Sequence, residues 1–281
     1  MRAEAKLTLA LRVTGLLPDG YHALDALVVG VEAPADRLTL TDAGTGITAR
    51  VHGPEADGVP DDAGNLAVRA ARGLLPAGAG VHLDLEKHIP AGAGLGGGSA
   101  DAAAVLRALR GRPDVDGARI DAVAAALGAD VPVCLCGGVN RMEGRGEVLT
   151  PLPAGPPLDL VVAVPPFGCS TPEVYRAWDA LGGPAATRSV AAPTGWAGIW
   201  GPEWMNDLEP AAEVVAPGLA AFRGLVERAC GRPALLAGSG SAYAAVLGDP
   251  AAAAAAAAAL RREPGVRAWS GRAPAAPEGG R

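Results

Sequence analysis

With 281 residues, 49% of them hydrophobic and 19% charged, the chain carries too much apolar surface for disorder and is long enough that two domains are expected. A formal net charge of −6 leaves no broad basic surface, and no run approaches the roughly 20 uncharged apolar residues of a membrane span, so neither nucleic acid nor membrane is an expected partner. Four cysteines, Cys134, Cys136, Cys169 and Cys230, are too few and too scattered for a disulfide framework or a zinc site and fit a reduced cytoplasm.

Residues 7–13 alternate with period two, which predicts a strand with Leu7, Leu9, Leu11 and Val13 on one face and Lys6 and Thr8 on the other. Pro18-Asp19-Gly20 makes a turn, 24–31 and 37–41 read as two strands, and 61–73 as a helix. Residues 81–89 alternate again and place Lys87 in the inward register, which is costly for a charge unless an anion meets it. Helices are expected over 99–110 and 119–127, the second ending at Gly128, and a short apolar strand over 131–139 with Cys134 and Cys136 on one face. The proline-rich stretch 151–157 is the expected boundary between domains over 1–153 and 154–281. Beyond it come strand 158–164, helix 172–181, a Gly/Pro-rich loop, helix 207–229, strands 234–237 and 242–247 around a glycine turn, an alanine helix 250–262, a strand near 265–269 and a frayed tail from Gly271. Interleaved helices and strands give an α+β or α/β fold.

Of 24 basic residues only Lys6 and Lys87 are lysine. A compact ammonium fits beside a phosphate or another charge where the planar guanidinium fork does not, so both are candidates for function. The segment most informative about chemistry runs Pro90-Ala91-Gly92-Ala93-Gly94-Leu95-Gly96-Gly97-Gly98-Ser99-Ala100, between a strand and a helix. Glycines let the backbone turn through positive φ and approach a ligand, while a helix N-terminus aims free N–H groups at the same spot, which makes an anion cradle. Ser99 serves there as helix cap or as a phosphate and metal contact. Gly92, Gly94 and Gly97 also satisfy the spacing of a dinucleotide fingerprint, but no second strand ending in an acid follows. No Gly-Lys-Ser/Thr of a Walker loop occurs.

Pro-x-x-x-Gly-Leu-Gly-Gly-Gly-Ser-Ala resembles the phosphate-binding motif of the GHMP kinases. The likeness extends through Ala5-Lys6, Pro18-Asp19-Gly20-Tyr21-His22, Asn65-Leu66, Lys87, Leu127 to Pro132, Gly144 to Glu147, Thr171 to Tyr175, Asn206 to Glu209 and Gly238-Ser239-Gly240. Within the superfamily it is nearest to the branch that phosphorylates a cytidine-diphosphate-linked sugar alcohol in isoprenoid precursor synthesis. The resemblance implies an α+β fold with a ribosomal-S5-like N-terminal domain and a ferredoxin-like C-terminal domain. It implies ATP with magnesium, a small-molecule alcohol as partner, a cytoplasmic location and a monomer or weak homodimer. It assigns Asp130 as catalytic aspartate with Lys6 beside it, and the loop Pro90 to Ala100 to the phosphates. Asn65 and Lys87 match positions around the adenine, Tyr21 and Tyr175 an aromatic pair around the cytosine, and His22 a hydrogen-bonding group at its edge. Thr8, Thr171 and Gly238-Ser239-Gly240 match positions near the acceptor. Thr8, Leu16, Leu17 and Ala237 depart from the usual residues of that branch, so a related alcohol is the alternative acceptor. A silent nucleotide-binding regulator is the rival from another class, and intact Lys6 and Asp130 speak against it.

Overall fold

The computed structural model describes residues 1–153, 156–183 and 205–273. Two compact units interleave along the chain. One comprises Met1–Lys6, Pro34–Ala91 and Gly96–Cys136; the other comprises Leu7–Ala33, Gly92–Leu95 and the described residues from Gly137 onward. Two long strands that pair with one another, β1 (Arg2–Leu16) and β2 (His22–Asp42), contribute a part to each.

In the first unit, β3 (Gly46–His52) pairs parallel with β4 (Gly80–Glu86), and β4 pairs antiparallel with the C-terminal part of β2, Leu38 opposite Leu85. The expected alternation holds: Val81, Leu83 and Leu85 are fully buried while His82, Asp84 and Glu86 lie on the wetter face. That inner face meets α1 (Leu66–Leu74), α2 (Gly97–Leu109), α3 (Ile120–Leu127) and α4 (Asp130–Cys136) in one core around Leu74, Leu106, Ile120 and Val131. α1 places Val68, Ala71 and Leu74 inward at helical spacing, the pattern that drives such packing.

In the second unit, Leu24 to Val29 of β2 pair antiparallel with β5 (Val139–Gly144), which forms a hairpin with β6 (Val148–Leu152). There follow β7 (Leu158–Val164), α5 (Thr171–Ala180), α6 (Glu209–Val215), α7 (Gly218–Cys230), β8 (Leu235–Leu236), β9 (Tyr243–Val246), α8 (Pro250–Leu260) and β10 (Arg267–Ala273). Their sheet runs β10-β7-β9-β8, all antiparallel, with every residue of the central β7 buried. Among the described residues this strand-helix-strand-strand-helix-strand order is the ferredoxin-like plan that the resemblance implies, with α6 and α7 added before β8.

Several local expectations need correction. Strands 24–31 and 37–41 are one strand, because Pro34 falls between the ladders to β5 and β4, where its missing N–H breaks neither. The helix expected over 61–73 starts at Leu66. The expected strand 131–139 is helix α4 followed by Gly137 and Gly138 at φ 65° and only then β5. Short apolar runs do not distinguish a strand from a buried helix, and Pro132 is tolerated in a first turn. Cys134 and Cys136 therefore do not share a strand face: Cys134 is half-buried and Cys136 exposed. Burial, helped by Asp130, pushes the Cys134 thiol up to about 12. The single helix 207–229 is two, separated at Ala216-Pro217, since proline cannot donate to the preceding turn. The tail is strand through Ala273, and the rest of it lies outside the described residues, as does most of the Gly/Pro-rich loop. All four cysteines are free, and among the described residues no helix is long and apolar enough to cross a membrane.

Candidate active site

The glycine loop leaves β4 and turns directly into α2. Gly96 is the residue before the helix and sits in the left-handed region at φ 69°, with no side chain capping the helix start. Ser99 therefore does not cap it; it stands half-buried in the first turn. A Cβ on Gly96 would lie 2.9 Å from Lys6 Cγ, so only glycine both takes this torsion and leaves room for the lysine stem. Lys6 runs past it to Asp130, with Nζ 3.4 Å from Oδ2. The Lys6 side chain is 8% exposed and that of Asp130 33%, so the ammonium is enclosed while the carboxylate remains reachable. Asp130 opens α4, two residues after Gly128 closes α3. Gly97 is already helical, and its constraint is space: a Cβ there would meet Ile89 Cγ2 at 2.9 Å.

This geometry fits a phosphate chain. A 13-residue helix presents uncapped N–H groups and the positive end of its dipole, and Gly98 in its first turn is exposed. Ala100 closes the first turn onto Gly96 at 2.8 Å, Leu95 anchors the loop in the core, and Pro90 is buried while Ala91 is exposed. Among the described residues no group of three His, Cys, Asp or Glu forms a ready metal site.

Asn65 and Lys87 are both buried. Asn65 caps α1, its Oδ1 accepting from Ala67 N at 2.9 Å and its Nδ2 donating to the Pro60 carbonyl at 2.7 Å. Lys87 meets the anions that its register demands: Nζ donates to Oδ2 of Asp36 and to Oδ2 of Asp101. Burial pulls its pKa down, but the charges of Asp101 and Asp36 outweigh this, and the ammonium is held above its ordinary range.

The remaining candidates lie in the second unit. Ala242 N donates to the Ala93 carbonyl at 3.1 Å, and a Cβ on Gly94, at φ 77°, would strike the Ala237 carbonyl. The loop's first half is thus seated on the second glycine turn, Gly238-Ser239-Gly240. That turn is pinned by Asn206 Nδ2, which donates to Leu236 O at 3.0 Å and Gly238 O at 2.6 Å, and by a 2.7 Å bond between Thr171 Oγ1 and Ser239 Oγ. Thr8 is buried. His22 stacks on Tyr175 with centroids 4.7 Å apart, meets Trp178 edge-on at 5.4 Å, and bonds Asp179 Oδ1 through Nε2 at 2.8 Å. Tyr21 is 61% exposed with the Arg145 guanidinium 4.7 Å over its ring, and Arg145 pairs with Asp19. The third tyrosine, Tyr243, is fully buried and donates to Glu209 at 2.9 Å.

The sequence alone assigned no role to Asp36, Asp101 or Asp179, and placed Asn206 in a matched motif without a partner. The inward register of Lys87 signalled an acidic partner, but nothing local identified residues 51 and 14 positions away as that partner.

Residues 65–138 match the GHMP kinases N terminal domain. The chain is similar to the 4-diphosphocytidyl-2-C-methyl-D-erythritol kinase of Dinoroseobacter shibae, 46% identical over 219 residues that cover 76% of this chain and 73% of that one. It is likewise similar to the enzyme of that name from Jannaschia sp., 44% identical over 227 residues and 76% of each chain. A crystal structure of 4-(cytidine 5'-diphospho)-2C-methyl-D-erythritol kinase superposes with a TM-score of 0.80 at 39% identity, covering 97% of this chain and 98% of the other.

Proposed function

Since the chain belongs to the 4-diphosphocytidyl-2-C-methyl-D-erythritol kinase family of GHMP kinases, we propose that it transfers the γ-phosphoryl group of ATP to the 2-hydroxyl of that cytidyl sugar alcohol. The observation that carries the chemistry is the Lys6–Asp130 pair set against the uncapped start of α2, with Gly96 making the room. Phosphoryl transfer calls for placement and charge neutralisation more than for covalent help. Asp130 orients the acceptor hydroxyl and takes its proton as oxygen bonds to the γ-phosphorus and the bridging oxygen to the β-phosphate leaves with ADP. Lys6 orients Asp130 and the hydroxyl and offsets charge on the transferring group.

On this reading the loop Pro90 to Ala100 cradles the phosphates, and Ser99, whose hydroxyl is not spent on capping, would help hold magnesium, which would offset phosphate charge. Asn65 acts on the adenine side by fixing the start of α1. Tyr21, His22 and Tyr175 take the cytosine, base on aromatic face, while Thr8, Thr171 and the 238–240 turn border the sugar alcohol. We retain the domain division 1–153 and 154–281, a cytoplasmic monomer or weak dimer, and no nucleic-acid partner as parts of the proposal. The test is transfer of labelled phosphate from ATP to a panel of alcohols led by 4-diphosphocytidyl-2-C-methyl-D-erythritol. Preference for that acceptor is expected; transfer only to an alcohol lacking cytidine would reassign the substrate.

A further inference from the structure

The glycine loop has two ends, and three buried side chains tie them together. At the entrance, Asp36 Oδ1 accepts from the backbone N–H of His88 at 2.5 Å and of Ile89 at 2.8 Å. At the exit, Asp101 stands one turn into α2. Lys87 Nζ lies between them and donates to Oδ2 of each. The side chains of Asp36, Lys87 and Asp101 are 0%, 4% and 2% exposed. Two carboxylates around one ammonium leave a buried excess of negative charge, and Asp101 Oδ1 is buried with no hydrogen-bond partner. An ion cluster of this kind is a poor way to stabilise a core, which apolar side chains of the same volume would do as well or better. Its placement across the loop ends points to a different role.

We propose that Asp36, Lys87 and Asp101 are positioning residues for the nucleotide: the cluster fixes the spacing between the strand end and the helix that carry the phosphate loop. This rests on the ATP reading above. Asp36 holds the backbone of the strand end through His88 and Ile89, and Lys87 links it to Asp101 in the helix, so loss of either carboxylate frees one end of the loop from the other.

The experiment uses the full chain with Asp36→Asn and Asp101→Asn. Calorimetry measures ATP affinity, and steady-state kinetics separates KM for ATP from kcat. Expected is a KM for ATP raised about tenfold in each folded variant, with kcat and acceptor KM nearly unchanged. Should Asp36→Asn fail to fold, Asp101→Asn decides alone, since an isosteric amide preserves shape. Unchanged ATP affinity in the folded variants overturns this proposal only. Absence of ATP binding by the wild type overturns the nucleotide reading itself.

Discussion

Two lysine–aspartate arrangements flank the same loop and differ in what the lysine can do. Lys6 approaches the Asp130 carboxylate at 3.4 Å, and that carboxylate is one-third exposed, so the pair can still engage a substrate. Lys87 is locked between Asp36 and Asp101 in the interior, with its hydrogen bonds committed. The other 22 of the 24 basic residues are arginine, and both lysines fit their places by shape. One stem must thread past Gly96, and the other must fit a point charge between two acids, neither of which a planar fork does. On the reading proposed above, the pair with the reachable carboxylate serves chemistry and the buried cluster serves placement.

Substitutions can break this contrast. The largest effect is expected from Gly97→Val, where a branched side chain meets Ile89 and displaces the start of α2; ATP binding should be lost in calorimetry, and retained affinity would reduce the loop to a turn. Asp130→Asn should lower kcat by about 100-fold or more while thermal stability and ATP affinity stay near wild type, the scale of a lost general base. Near-normal turnover would remove Asp130 from the mechanism.

A smaller effect tests the acceptor side. Tyr175→Ala should forfeit about 1–3 kcal/mol of stacking, read in the acceptor KM and not in the KM for ATP, with Tyr175→Phe restoring most of it. Because His22 already stacks on Tyr175, the same variant should change the environment of the His22 ring in the absence of ligand, visible in its NMR shifts. An unchanged acceptor KM would take the cytosine off this ring.

The smallest effect is on stability against pH. Asp101 binds its proton more tightly when folded, at about 7, than its ordinary 3.8, so this group's contribution to stability is fully present below about pH 4 and is lost as pH rises through 7. The wild-type melting temperature should therefore decline from pH 5 to 8 more than that of Asp101→Asn, and parallel curves would contradict the raised pKa.

Much of this was readable in the residues, for physical reasons. Alternation placed Val81, Leu83 and Leu85 inside, and five glycines against a helix marked the cradle, because both patterns act over neighbours in sequence. The run after Asp130 misled, since an apolar run this short carries no period that separates helix from strand. The cap role offered to Ser99 failed because Gly96, in a left-handed torsion, starts the helix two residues sooner than expected. Partners such as Asp36 and Asn206 were out of reach because their roles exist only after distant strands and turns meet.

The most direct test of the contrast between the two lysine sites is to set Asp130→Asn beside Asp36→Asn, measuring ATP dissociation constant and kcat at saturating ATP for each. The account predicts that Asp130→Asn binds ATP normally and barely turns over, while Asp36→Asn binds ATP about tenfold more weakly and turns over within a few-fold of wild type once saturated. Loss of turnover in both, with ATP affinity intact in both, would contradict the separation of chemistry from placement.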